Sequence, residues 1–78
     1  MALDYYAEAR RLIAMIQSDG MSDWAAKIQN AFDEGVTATE VLMMLRWSIR
    51  QYLAAEVGAS KTVEFAEDLY EKIDSALS

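Results

Sequence analysis

Apolar side chains recur along this chain with the three-and-four spacing of an amphipathic helix in four separate stretches. In the first, residues 3–19, Tyr5, Tyr6, Ala9, Leu12, Ile13 and Ile16 share roughly a third of the helix circumference, while Asp4, Glu8 and Arg11 lie outside that arc. In the second, residues 22–34, Trp24, Ile28, Ala31 and Phe32 form the apolar stripe and Lys27, Gln29, Asn30, Asp33 and Glu34 take the remaining positions. The third, residues 37–57, repeats Val41, Leu42, Leu45, Ile49, Tyr52 and Leu53. The fourth, residues 60–77, turns Val63, Ala66, Leu69, Tyr70, Ile73 and Leu77 inward and leaves Glu64, Glu67, Asp68, Glu71 and Asp74 outward.

The ends of these stretches are marked chemically. Gly20, Gly35 and Gly58 each follow a periodic segment and precede a Ser or Thr, which suits a glycine just past a helix end and a hydroxyl at the next start. Ser22 and Ser60 are the expected N-caps of the second and fourth helices. Asp4 and Asp23 bring negative charge to a first turn. Thr37-Ala38-Thr39-Glu40 reads as a capping box, the Thr37 hydroxyl accepting from the Glu40 N–H and the Glu40 carboxylate accepting from the Thr37 N–H. Val36 and Val41 are spaced for a hydrophobic staple. Connections of only a few residues make chain neighbours antiparallel. The expected fold is a single all-α domain over residues 1–78, a compact four-helix bundle in antiparallel up-and-down or closely related topology. The topological alternative is a three-helix core with the first helix packed aside.

Composition narrows the chemistry. The 78 residues include 13 acids and 7 bases, for a net charge of −6, and no His, Cys or Pro. Without Cys and His there is no disulfide, no thiolate nucleophile, no zinc finger and no imidazole base. A hydrophobic fraction of 54% with 10% aromatic residues indicates a folded domain. No stretch approaches the ~20 consecutive apolar residues that cross a bilayer, and Met1-Ala2-Leu3-Asp4 lacks the basic start of a secretory signal, so a cytoplasmic location is expected. An acidic surface repels phosphate backbones and anionic headgroups, which argues against nucleic acid and membrane as partners.

The third stretch departs from simple amphipathicity. Met43, Trp47 and Ala54 project opposite its core stripe, interleaved with Arg46 and Arg50. Two readings follow. Either this helix sits centrally with the other three around it, or Met43, Arg46, Trp47 and Arg50 form an exposed partner-binding patch of the Trp, Arg and Met composition that dominates protein interfaces. Pairing of the two arginines with Glu67 or Asp68 is the structural expectation for those charges. Glu64, Glu67, Asp68 and Glu71 share one helix face, but the His of di-iron bundles and the spacing of calcium loops are absent, so a solvated charged face is expected. Ser22, Thr37 and Ser60 are accounted for as caps, the glycines are isolated, and the tyrosines suit core aromatics with hydroxyls at the rim. No catalytic, cofactor-binding or metal-ligating residue and no small-molecule substrate emerges. An enzyme is not expected, since it would need a pocket that so short a chain has little volume to form.

Two families share the size, acidity and helical content but fail on motif. Acyl carrier proteins carry their prosthetic group on the Ser of Asp-Ser-Leu at the start of the second helix, where this chain reads Gly20-Met21-Ser22-Asp23-Trp24. Nuclease-colicin immunity proteins have a Tyr-Tyr-Pro segment without counterpart here. Trp24-Ala25, Ala31, Gly35, Thr37, Thr39-Glu40, Leu42-Met43 and Leu45-Arg46 together resemble a family of small, uncharacterised bacterial all-helical proteins. That resemblance covers roughly a third of the chain and implies a bacterial, cytoplasmic protein without an assigned activity. The functional expectation is a small interaction module that binds a protein or itself as a homodimer; the alternative is an immunity- or antitoxin-like acidic inhibitor of a basic protein. A further reading is a small apolar ligand bound between the helices.

Overall fold

The computed structural model describes residues 4–78, which form α1 (Tyr5–Ser18), α2 (Ser22–Glu34), α3 (Ala38–Ala55) and α4 (Ser60–Leu77), with no strand among the described residues. The expected start at Leu3 lies outside them, and Asp4 caps α1 by accepting from the N–H groups of Tyr6 and Ala7, each at 3.1 Å.

Side-chain contacts fix the direction of every helix. The edge-on contact of Tyr6 with Phe32, 5.6 Å between centroids, joins the start of α1 to the end of α2, and that of Trp24 with Tyr52, at 5.9 Å, joins the start of α2 to the end of α3. Arg46 reaches Asp74 near the end of α4, and Thr62 near its start donates to Asp19 just past α1. Each helix therefore runs antiparallel to its chain neighbours, and α1 closes the ring on α4. The result is an all-α four-helix bundle. Because α1 packs on both α2 and α4, it is not set aside from a three-helix core. Nor is α3 central: it occupies one corner, with α2 and α4 on its flanks.

The core contains Ala9, Leu12, Ile13 and Ile16 of α1, Ala25, Ile28 and Ala31 of α2, Val41, Leu45, Ile49 and Tyr52 of α3, and Ala66, Leu69 and Ile73 of α4. Ala25, Ser48 and Thr62 are also buried, although no apolar stripe included them. Trp24, Phe32, Leu42, Leu53, Val63, Tyr70 and Leu77 are half-buried around that core.

Several ends differ from expectation. Ser22 and Ser60 are the first helical residues, and the N-cap positions belong to Met21 and Ala59, neither of which makes a side-chain capping bond. Thr37 does cap α3, accepting from the Glu40 N–H at 3.2 Å, but the Glu40 carboxylate accepts from Val36 N–H at 3.4 Å instead of from Thr37. Val36 remains 85% exposed, so the staple to buried Val41 does not form. α3 ends at Ala55 instead of residue 57, and the left-handed position after it is taken by Glu56, at φ 54° and ψ 38°, not by a glycine. Gly20, at φ 82°, does supply the left-handed turn after α1. Gly58 serves a different end: the Tyr52 hydroxyl lies where its Cβ would be, so only glycine lets this loop close over the end of α3.

Candidate interaction surface on α3

A helix at the corner of a square bundle buries the side toward the core and leaves its outer side bare. In α3 the inner side carries Leu45 and Ile49, both fully buried, while the outer side carries Trp47, 65% exposed, and Met43, 49% exposed. Two apolar side chains one turn apart thus form a ridge facing solvent, where a folded domain gains most by placing polar groups.

A hollow lies on each side of this ridge. Between α2 and α3 a depression of about 480 Å³ is walled by Trp24, Met44, Met43 and Trp47, with the small residues Ala31 and Ser48 buried in its floor and Lys27 and Glu34 at its edge. Between α3 and α4 a second depression of about 450 Å³ is lined by Met43, Arg46, Trp47, Arg50, Tyr70 and Asp74. The four residues singled out in the sequence, Met43, Arg46, Trp47 and Arg50, therefore meet in one place. What the pattern missed is the hollow beneath them: Ala31 and Ser48 look unremarkable singly, and the legible sign was a serine on the inward side between Leu45 and Tyr52. The two depressions also show that this short chain does form concave surface, contrary to expectation.

The arginines differ in their surroundings. Arg46 pairs with Asp74 at 2.9 Å, not with Glu67 or Asp68, because the antiparallel register brings the end of α4 level with Arg46. Asp68 instead binds Lys72 within its own helix at 2.8 Å, and that hydrogen bond raises the Lys72 pKa. Arg50 is exposed and has no carboxylate within 4.0 Å among the described residues. Lining the two hollows are Lys27, Arg46 and Arg50 against Glu34 and Asp74, and with exposed Glu40 at the start of α3 the face is balanced in charge on a chain of net charge −6.

Elsewhere, Glu64, Glu67, Asp68 and Glu71 are all exposed along α4. Among the described residues no three acidic side chains converge as metal ligands, and no helix is long and apolar enough to cross a membrane. No protein-family model matches the chain, and no curated protein or solved structure was found to be similar to it.

Proposed function

We propose that the chain is a small cytoplasmic, non-enzymatic protein-interaction module, and that the outer face of α3, with Met43, Arg46, Trp47 and Arg50, is its docking surface. One observation carries this reading: Trp47 stands 65% exposed on an apolar ridge with a hollow on either side. Tryptophan, methionine and arginine are the residues enriched where interfaces concentrate their energy, and a convex anchor beside concave surface is the relief such interfaces use. Covering the exposed part of one Trp removes on the order of 150 Å² from water, worth roughly 3–4 kcal/mol before the costs of association. The test is Trp47→Ala and Arg50→Glu, each checked by circular dichroism for retained helicity. Loss of self-association or of a captured protein partner supports the reading, whereas unchanged assembly state and unchanged partners for both variants refute it.

A second reading, an inhibitor of a basic protein, is favoured by Glu64, Glu67 and Glu71 on α4, which are exposed and have no cation within 4.0 Å among the described residues. It is distinguished by a loss of partner capture on Glu67→Lys that Trp47→Ala does not produce.

A further inference from the structure

Glu40, Met43, Trp47 and Arg50 follow one another at intervals of three, four and three residues and so form a single outward stripe on α3. The stripe is electrically polarised. Its acid stands at the N-terminal end, its base at the C-terminal end, and the apolar pair lies between; Glu40 and Arg50 are each five residues, about 7.5 Å, from the midpoint near Leu45. The neighbouring helix repeats the polarity. Trp24 packs on Tyr52, and a Cβ placed on Gly35 would lie 3.1 Å from the Val41 Cα, which fixes the antiparallel register of α2 on α3. That register puts Lys27 beside the C-terminal half of α3 and Glu34 beside its N-terminal half. All four charged residues are exposed and none has an opposite charge within 4.0 Å among the described residues.

We infer that this face receives a second copy of the same chain about a two-fold axis, α3 against α3 in antiparallel sense, with Arg50 of each copy opposite the partner's Glu40. The inference rests on reading the face as a docking surface. Antiparallel docking turns the polarity over, so the Lys27 and Arg50 end meets the partner's Glu34 and Glu40 end, and the symmetry makes every such match occur twice. Parallel docking sets like on like and is disfavoured. The Met43 and Trp47 ridge of each copy then spreads into the hollows flanking the partner's ridge, which are of similar size, about 480 and 450 Å³. Net charge points the same way: two chains of −6 repel over most of their surface, and the α3 face, where Lys27, Arg46 and Arg50 balance Glu34, Glu40 and Asp74, is where they approach at least cost. A stable pair needs roughly 800 Å² from each copy, about a sixth of the 4974 Å² surface of this chain.

Sedimentation equilibrium over a wide dilution series tests this on the full chain. The expected result is a reversible dimer that Arg50→Glu and Glu40→Lys each weaken at least about tenfold, and that the Arg50→Glu/Glu40→Lys double variant restores to within about threefold of the original. Because Glu40 also accepts from Val36 N–H, Lys27→Glu with Glu34→Lys provides a second swap free of any capping bond, and it decides the matter if the first unfolds the chain. A monomer at every concentration, a dimer indifferent to the single changes, or a double variant no better than the singles overturns the inference. If the original chain is monomeric yet Trp47→Ala still alters the protein captured, the docking role of the face survives and only the two-fold pairing falls; if Trp47→Ala alters nothing, both fall.

Discussion

Tyr52 is 1% exposed and its ring is held edge-on against Trp24, but its hydroxyl is buried against Gly58 without a hydrogen-bond partner among the described residues. Tyr52→Phe keeps the ring and deletes only the oxygen. Two terms decide the outcome. Leaving a buried hydroxyl unsatisfied costs about 1–3 kcal/mol relative to its hydrogen-bonded state in water, and the substitution removes that cost. Against it stands the void left by one oxygen atom, smaller than a methyl-sized hole and therefore costing less than about 1 kcal/mol. The balance is a net gain of about 1 kcal/mol, which in a domain of this size raises Tm by about 4–8 °C. Thermal and urea unfolding followed by circular dichroism, with unchanged urea slope, measures it. A tyrosine whose hydroxyl is hydrogen-bonded behaves oppositely, losing about 0.5–1.5 kcal/mol on conversion to Phe. A Tyr52→Phe chain destabilised by 1 kcal/mol or more therefore refutes the reasoning, because it requires a partner for that hydroxyl.

The same residue sets an alkaline limit. Burial, with a smaller contribution from the negative charge of Asp19, raises the Tyr52 pKa above 10.0, so the folded chain holds this proton more tightly than the unfolded one. Its stabilising effect is complete below the unfolded pKa of about 10 and is lost as pH rises toward the higher folded value. Unfolding free energy measured across that range should fall for the original chain and fall less for Tyr52→Phe; equal slopes contradict the assignment. At the end of α3, Glu56 occupies a left-handed position that costs a side-chain-bearing residue about 1–2 kcal/mol. Glu56→Gly removes this strain but adds freedom to the unfolded chain, for a net stabilisation of about 0.5–1 kcal/mol by thermal melting; a loss of stability would show that the Glu56 side chain makes a compensating contact.

The helices were legible because their evidence is local. A 3.6-residue period in apolar side chains is a property of one segment, and caps such as Asp4 and Thr37 depend on the N–H groups two and three residues on. Ser22 and Ser60 misled for a related reason, since a hydroxyl suits the first helical turn as well as the position before it, and Met21 and Ala59 supply the extra residue of backbone. What lay beyond sequence was relational. Arg46 could be paired with any of several carboxylates on α4 until the loop 56–59, with its left-handed Glu56, set the register that selects Asp74. The status of Trp47 was relational too. An apolar residue opposite the core stripe is buried if a fourth helix lies over it and bare if the helix stands at a corner, and its own periodicity is identical in both cases. The connectivity decides: with three short turns joining four antiparallel helices, the chain closes into a ring, and a ring has no central helix to hide Trp47. The ring therefore leaves Met43 and Trp47 uncovered between two hollows, and it is this uncovered apolar ridge on which the proposed docking of another chain rests.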